Sequence, residues 1–455
     1  MGEKVVILVD NKKRDLPGCA LIAHHLETGF GINCVLEPLE SWRACIAAYK
    51  PNFILFNHLT AMHLVRFSHR LKEMGVLVGV LPNEGISYDS EVLDYNAGRY
   101  HSDAHIDHFF CWNKAHQDAL VRNLKNFDGE IHVVGVPRFD YYFAPWKDLF
   151  FKPQEYDRRR PRILICTNFV FARYQDWPKP HVDKIFSPWK DRISAYANYR
   201  DLIEVCVRSR SKIFQYLEAI LRGTKCNIDL KPHPSENHKP YLSWFEKLPL
   251  EYKARVKVCL TELIWEVLPL CDLEISCERC TTALESWILG KPTIELVFEK
   301  HPRFFDELSA RPNRLCDSPK KLPAMIEETL KNPVQEDLQK LRRQHLDEWC
   351  AAPSGISSRK IAEIIAEAIG HGGDPKWNFT LQDWRRALKL KIKNFLGLAY
   401  GSNPWKLIMG LLPGQQMDPT EAKFIRPTDV REWRERLQKI HHSGTKHSNI
   451  KCRGG

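Results

Sequence analysis

Several polar residues in the first part of the chain follow apolar runs that are typical of buried strands. Glu84 and Gly85 come just after the run at 76–81, and a carboxylate there could take a proton from an acceptor hydroxyl. Open parallel sheets bind ligands at the carboxyl ends of their strands, which motivates this assignment. An acid that only shapes a turn or caps a helix is the alternative. By similar placement, the predicted acceptor side consists of Asn57, His58, Asn83, Gly85 and Arg138.

In the second part, the sequence Lys-Pro-His-Pro-Ser-Glu follows the apolar run at 226–230. Proline on each side of His233 fixes the local backbone and excludes the middle of a helix or of a central strand. A histidine held in this way at a strand end is well placed to donate to a phosphate.

The run at 273–276 leads through 277–280 to a predicted helix at 281–289. Hydroxyls and unpaired backbone N–H groups at a helix start bind phosphate, and Glu285 could accept from ribose hydroxyls. An ordinary helix cap is the alternative for Thr281. The predicted nucleotide-binding residues are Thr167, Asn168, Lys231, His233, Pro234, Glu236, Ser276, Arg279, Thr281, Thr282 and Glu285.

We predict no metal site and no cofactor beyond the donor nucleotide. Asp-x-Asp does not occur at a predicted strand end, and Cys277-x-x-Cys280 lacks the second pair of ligands that a structural zinc needs. A histidine and the backbone N–H groups of a helix start could hold a phosphate without a metal.

The elements that must position these residues alternate between short strands and helices, which predicts an α/β fold with parallel sheets covered on both faces. At 455 residues the chain exceeds a single core of roughly 250–300 residues. We expect two tandem Rossmann-like domains, as in GT-B glycosyltransferases, with the active site in the cleft between them. The predicted domains are 1–145 on the acceptor side and 162–373 on the nucleotide side, joined by a linker at 146–161 and followed by a basic helical tail at 374–455.

The net charge of +11 is concentrated in the tail, where residues 374–455 carry 16 Lys/Arg and 7 Asp/Glu. A nearly neutral body argues against a nucleic-acid partner. The stretch 383–399 predicts a basic amphipathic helix with an apolar stripe at Trp384, Leu388, Ile392 and Phe395. Residues 383–412 could therefore lie on an anionic membrane, or the helix could pack on the body. With no secretory signal and no spanning apolar run, we expect a cytoplasmic protein, peripheral on the inner membrane face.

The order of short motifs resembles the bacterial surface-carbohydrate biosynthesis proteins over nearly the whole chain. The pair Glu84-Gly85 and His233-Pro234 also resembles the motifs of bacterial sialyltransferases and capsule-type Kdo transferases. This resemblance implies that Glu84 is the catalytic carboxylate and His233 contacts the CMP phosphate, while Asn83 stands where sialyltransferases often have a second acid. The motifs are 135–140 (GVPRFD), 163–169 (ILICTNF), 231–236 (KPHPSE), 276–285 with Gly290-Lys291-Pro292, and Lys423-Phe424-Ile425 with Trp433.

Together these features predict a metal-independent GT-B transferase that moves Kdo or a related sugar acid from CMP to a surface polysaccharide or lipid-linked glycan. Two alternatives stay open. One is a transferase that uses a UDP-sugar or CDP-glycerol to build a surface polymer. The other is a non-catalytic scaffold of glycan assembly, which would not bind CMP.

Overall fold

The computed structural model describes residues 2–125, 127–150, 160–333, 335–399 and 423–448. By its contacts the chain divides into two compact units. The first comprises Met1–Leu149 with Glu348–Gly455, and the second is Phe150–Asp347. Each unit contains a sheet of six strands, in which every neighbouring pair is parallel.

In the first unit, short runs of buried β-branched and aromatic residues form the strands, as a sheet covered on both faces requires. Their order is β2-β1-β3-β4-β5-β6, so the direction of winding reverses between β1 and β3. The strands are β1 (Lys4–Val9), β2 (Asn33–Pro38), β3 (Phe53–Phe56), β4 (Leu77–Val80), β5 (His108–Cys111) and β6 (Glu130–Val133). The helices are α1 (Leu16–Phe30), α2 (Trp42–Tyr49), α3 (Met62–Glu73), α4 (Ser90–Ala97) and α5 (Lys114–Asn123).

The second unit repeats this plan with the order β12-β11-β10-β7-β8-β9, which reverses between β7 and β10. Its strands are β7 (Arg162–Cys166), β8 (Asn227–Lys231), β9 (Val256–Val258), β10 (Leu273–Cys277), β11 (Thr293–Leu296) and β12 (Arg314–Cys316). Its helices are α6 (Lys179–Lys190), α7 (Tyr199–Gly223), α8 (Lys239–Lys247), α9 (Leu250–Lys253), α10 (Ile264–Val267), α11 (Thr282–Ile288), α12 (Glu307–Ala310) and α13 (Leu322–Lys331). The predicted α/β class with two Rossmann-like sheets is confirmed.

The chain returns to the first unit within α14 (Glu336–Cys350), and α15 (Ser357–His371), α16 (Leu381–Phe395) and α17 (Pro427–Ser448) follow. The sequence assigns residues 348–373 to the nucleotide-side domain, and the structure corrects this boundary. The buried carboxylate of Asp140 accepts hydrogen bonds from the backbone N–H groups of Ser357 and Ser358 at 3.1 and 2.7 Å. It thereby fixes the start of α15 in the first unit, where α15 packs on α1.

The tail also packs on the first unit, through a face other than the predicted apolar stripe. Along α16, Ala387 and Leu390 are buried, and Leu390 joins the hydrophobic core below α2. Asp383 forms two hydrogen bonds with Arg70, at 3.0 and 2.6 Å, which lower the pKa of its carboxyl to about 2. Asn394 donates to Glu37 at 2.6 Å. The further apolar residues predicted to follow this helix, at 405–412, lie outside the described residues.

Among the described residues, no helix combines the length and the hydropathy that crossing a membrane requires.

Candidate functional site

The carboxyl edge of the first sheet forms a small cavity where the winding reverses. Leu8 near the end of β1, Asn57 after β3 and Asn83 after β4 line it, and Arg138 lies in its wall. Its volume of ≈ 40 Å³ exceeds the ~10–15 Å³ that one water needs, so the cavity itself has room for a small polar group. Ligands of open parallel sheets bind at this kind of reversal. Three predicted acceptor-side residues therefore do lie around one cavity.

Asn57 has an unusual environment within this cavity. Its side chain is 5% exposed, yet neither its amide nitrogen nor its amide oxygen has a hydrogen-bond partner among the described residues. Nδ1 of the neighbouring His58 and Nε1 of Trp112 are likewise buried without one in that part of the chain. Burial also lowers the pKa of His58. Because an unpaired buried polar group destabilises a protein by about 1–3 kcal/mol, these groups favour a ligand that would satisfy them.

Glu84 lies at the mouth of this edge with its side chain 65% exposed, as a group that must reach a substrate requires. The Arg14 guanidinium donates to its Oε1 at 3.1 Å and so orients the carboxylate. Gly85 lies below it, and a Cβ at this position would come within 2.6 Å of the Trp112 ring. The Asn113 side chain also donates to the Gly85 carbonyl at 2.7 Å. The glycine of the Glu-Gly pair is thus required by packing.

Arg14 is the main residue at this edge that the sequence analysis missed. Besides Glu84, it donates to Asp15 at 2.7 Å and lies 3.7 Å from Asp10, which follows β1. Burial raises the pKa of Asp15. From the tail, Lys423 donates to Asp10 at 3.0 Å. Two cations and three carboxylates therefore form one network, in which Asp15 is the second acid near Glu84. Asp15 directly follows the basic residues Lys12, Lys13 and Arg14, and this position gives no sequence signal of its place in the network.

In the second unit, the carboxyl end of β8 forms a loop that Glu236 organises from below. This buried carboxylate accepts from the Thr167 hydroxyl at 2.7 Å and from the N–H groups of Phe169 and His233 at 2.9 and 3.2 Å. Tyr241 also donates to it, and burial raises its pKa. We predict from the sequence that Thr167 and Glu236 contact the nucleotide. In the structure, their side chains stabilise the conformation of this loop.

His233 lies on this loop, partly exposed, with exposed Pro234 beside it. Its Nδ1 accepts from the Ser235 N–H at 3.1 Å, and its backbone carbonyl contacts His238 Nε2 at 3.2 Å. An imidazole that accepts at Nδ1 carries its proton at Nε2 when neutral. In the neutral ring, the geometry therefore leaves Nε2 as the nitrogen that can donate, and the predicted contact with a phosphate stays a prediction.

The predicted phosphate hydroxyls of the second unit point inward. Ser276 donates to both carboxylate oxygens of Glu274 at 2.7 and 2.9 Å, and Thr282 donates to the same carboxylate at 2.9 Å. Ser276 belongs to β10, so it shares a face of the sheet with Glu274 two residues before it. Glu285 is buried as well, and α11 is only seven residues long. Thr281, which precedes α11, is partly exposed, and its side chain forms no capping hydrogen bond within the described part of this helix.

The loop between β10 and α11 is strained, and it lies beside buried acids of β10 and β11. Glu278 and Arg279 adopt φ values of 55° and 57°, which are costly for residues with side chains and cluster at functional sites. The Arg279 N–H donates to buried Glu295 at 3.0 Å, and Asn168 after β7 donates to the Glu278 carbonyl at 3.0 Å. Lys231 Nζ donates to the Glu262 carbonyl at 2.5 Å. Asn168 thereby joins the ends of β7 and β10 at the reversal of this sheet.

Burial raises the pKa of Glu274 and Glu278 to about 8 and that of Glu295 to about 7. The sequence analysis missed this acidic cluster, because Glu274 and Glu295 lie within apolar strands. The alternation of polar and apolar residues in 293–296, with Glu295 at one polar position, is a weak signal of it. Each unit thus has a candidate site at the carboxyl edge of its own sheet.

No protein-family model matches the sequence, and a search of curated proteins finds no match either. Among solved structures, the wall teichoic acid polymerase TagF, soaked with CDPG, matches 81% of this chain and 89% of its own, with 13% identity and a TM-score of 0.52. A protein from Listeria monocytogenes described as a UDP-N-acetylglucosamine 2-epimerase matches 84% of this chain and 100% of its own, with 12% identity and a TM-score of 0.50. At these identities the likeness is one of fold. The chain has the two-domain α/β architecture of GT-B proteins.

Proposed function

We propose that this protein is a transferase that moves a sugar acid, Kdo or a relative, from CMP to a surface polysaccharide or lipid-linked glycan. The observation that carries this proposal is the loop of His233, where buried Glu236 fixes the backbone and Ser235 fixes the proton on Nε2. A rigid donor of this kind suits the charge that develops on the departing phosphate. The GT-B fold and the motif resemblance support the same class of reaction.

The proposed reaction uses residues from both candidate sites. An acceptor hydroxyl attacks the anomeric carbon, and the bond from that carbon to the CMP phosphate oxygen breaks with its electron pair leaving on the phosphate. Glu84 takes the proton of the hydroxyl, with Arg14 orienting the carboxylate, while His233 stabilises the phosphate. The buried Asn57 amide is a candidate contact for acceptor hydroxyls, because it lacks partners among the described residues. The reaction as proposed needs no metal.

The identity of the donor nucleotide is the part of the proposal that has an alternative, because proteins of the same fold are associated with other nucleotides. TagF was solved with CDPG, and the epimerase described above is named for a UDP-sugar. A CDP-glycerol or UDP-sugar donor is therefore the alternative, and a non-catalytic scaffold predicts that no nucleotide binds.

Calorimetry with CMP, CDP, UDP and GDP tests the donor class directly. We expect CMP to bind, and His233→Ala to weaken its binding by about 1.5–3 kcal/mol, the usual contribution of a charge-assisted hydrogen bond. His181→Ala is the matched control, because His181 lies exposed on α6 in the same unit. Equal CMP affinity in both variants contradicts the role of His233. Tighter binding of UDP or CDP replaces the donor, and binding of none favours the scaffold.

We further propose that α16 attaches the protein to an anionic membrane surface. The predicted stripe of Trp384, Leu388, Ile392 and Phe395 is exposed, with Phe395 at 90% and Leu388 at 61%. Five basic residues, at 385, 386, 389, 391 and 393, share the helix, whose one acid, Asp383, is buried against Arg70. Apolar residues on a helix with net positive charge fit a layer with anionic headgroups above an apolar interior. Such a position suits a lipid-linked acceptor, and co-sedimentation with vesicles tests it.

A further inference from the structure

The opposite, amino-terminal edge of the first sheet brings together three side chains that suit a metal ion. His108 begins β5, and Glu130 and His132 are the first and third residues of β6. The strands pair in register His108 to Glu130 and Phe110 to His132. Because side chains alternate between faces, all three candidate ligands project from the same face of the sheet. This group is separated from the Glu84 edge by the length of the strands.

Each of the three side chains contributes one atom to the contacts within this group. Nδ1 of His108 lies 3.1 Å from Nε2 of His132. Oε2 of Glu130 lies 3.4 Å from that Nε2 and 3.9 Å from that Nδ1. A tetrahedral zinc with bonds of about 2.0–2.1 Å holds its ligand atoms roughly 3.3–3.4 Å apart. An ion could therefore bind all three atoms after shifts of a few tenths of an ångström.

Both imidazoles are held in place by aromatic rings. His108 stacks on Phe53 at 6.1 Å between ring centroids, and His132 stacks on Phe110 at 5.6 Å. The two imidazoles also stack on each other at 5.4 Å. Two imidazoles held by these ring contacts, together with a carboxylate, form a preorganised ligand set.

The group faces a cavity of ≈ 620 Å³, which Glu367 and His371 of α15 also line. This volume leaves room for a water in a fourth coordination position. Glu367 adds negative charge that acts on both imidazoles. Two nitrogens and one carboxylate oxygen suit zinc and its neighbours, whereas Mg²⁺ and Ca²⁺ prefer oxygen ligands.

We propose that His108, Glu130 and His132 bind one zinc-class divalent ion, with water completing a tetrahedron. The ion would join β5 to the edge strand β6, next to α15. The sequence predicts no metal site because neither histidine lies in a metal motif, and only strand pairing brings them together. This inference does not depend on the proposed transfer reaction, since the two use opposite ends of the strands.

Calorimetry of untagged, chelator-treated protein with Zn²⁺ tests the site, with Mg²⁺ as the ion control. We expect one Zn²⁺ per chain, and at least about 100-fold weaker binding by His132→Ala and by Glu130→Ala, since losing even an outer-shell partner costs about 10- to 100-fold. His181→Ala should bind as the wild type does. Zn²⁺ should also raise the melting temperature of the wild type but not of His132→Ala.

Co²⁺ substitution of the wild type gives a test that does not depend on how well the variants fold. Intense visible absorption, as tetrahedral Co²⁺ shows, supports the proposal, whereas the weak absorption of an octahedral ion overturns it. The absence of a one-to-one Zn²⁺ complex overturns it as well. So does a His132→Ala variant that binds Zn²⁺ as tightly as the wild type.

Discussion

Glu84 is exposed, and its carboxylate accepts a hydrogen bond from Arg14. Glu84→Gln keeps the shape of the side chain but cannot take a proton. We therefore expect CMP affinity and melting temperature to stay at wild-type values while turnover falls by about 100-fold or more. Initial rates of sugar transfer measure this effect, and Glu73→Gln, an exposed acid on α3, is the control.

A Glu84→Gln enzyme that transfers sugar at a near-normal rate would place the catalytic carboxylate elsewhere. The structure narrows the choice to Asp10 and Asp15, which share the Arg14 network. Asp140 caps α15, and Asp107 accepts from the Val78 N–H at the amino end of the sheet. Asp107 therefore lies at the edge opposite Glu84, and the carboxylate of Asp140 is already bound by the backbone of α15.

At the residue scale, the sequence predicts which residues follow strands but not where each hydroxyl points. Glu84, Asn57 and His233 lie at carboxyl ends because the strands end where the apolar runs end. Ser276 was expected to face a nucleotide, but β10 continues through Cys277 and turns that hydroxyl to Glu274. Whether β10 ends at Ser276 or at Cys277 decides between these two roles. A sequence predicts strand boundaries only to within a few residues.

The motif at 135–140 shows how a functional pattern can be structural. Gly135 has φ 85°, and a Cβ there would lie 2.6 Å from the Ser357 hydroxyl. Asp140 caps α15, and the Ser358 hydroxyl donates to the Pro137 carbonyl at 3.3 Å. The motif therefore docks a helix from more than 200 residues further along the chain. Val136, Pro137 and Arg138 of the motif line the cavity, and Arg138 also lies over the Trp112 ring.

At the element scale, the alternation of strands and helices predicted eleven strands because each is an apolar run flanked by polar turns. The missing one, β12, has only three residues, of which Leu315 is exposed. The helices that were missed, such as α6 and α8, contain prolines and polar residues that weaken the pattern. Their stability comes from tertiary packing, which periodicity in the sequence does not report.

The acids of β10, β11 and the loop after β10 make the stability of the second unit depend on pH. Burial raises the pKa of Glu274 and Glu278 to about 8 and of Glu295 to about 7, against roughly 4.3 in an unfolded chain. The folded state therefore holds more protons between these values. This contribution to stability is complete below about pH 4 and is lost as the pH rises through about 7–8.

Glu274→Gln should mimic the protonated side chain at every pH. We expect the variant and the wild type to melt at similar temperatures near pH 5, and the variant to become progressively more stable by comparison up to pH 9. Thermal unfolding at several pH values measures the difference, with the exposed Glu246→Gln as control. Parallel curves for Glu274→Gln and the wild type would show that this carboxyl does not titrate with a raised pKa.

At the scale of the whole molecule, the tail packs on the first unit and still exposes the apolar stripe that membrane attachment would need. The face of α16 that packs on the body contains Asp383 and Asn394, whose polar groups find Arg70 and Glu37. Pattern analysis selected the more apolar stripe one position away, because it cannot see such buried polar partners. The helix is thus fixed to the first unit and still exposes Trp384, Leu388, Ile392 and Phe395. Truncation at Gly373 would remove core residue Leu390, so point variants are the sharper test of membrane binding.

The double variant Leu388→Ser/Phe395→Ser removes two exposed apolar side chains and leaves the basic residues in place. Since burying such a side chain contributes about 1.5–3 kcal/mol, its partitioning onto anionic vesicles should fall at least about tenfold while its melting temperature is retained. Wild-type binding should weaken but persist as salt rises from about 0.05 to 0.5 M, because screening acts on the charges and not on the inserted side chains. Leu250→Ser, an exposed leucine of the second unit, is the control and should bind like the wild type.

Co-sedimentation with anionic and neutral vesicles measures all three proteins. Wild-type protein that stays in the supernatant with both vesicles would contradict membrane attachment. If it also formed a dimer that the double variant did not, the apolar stripe would instead be a contact between copies of the chain.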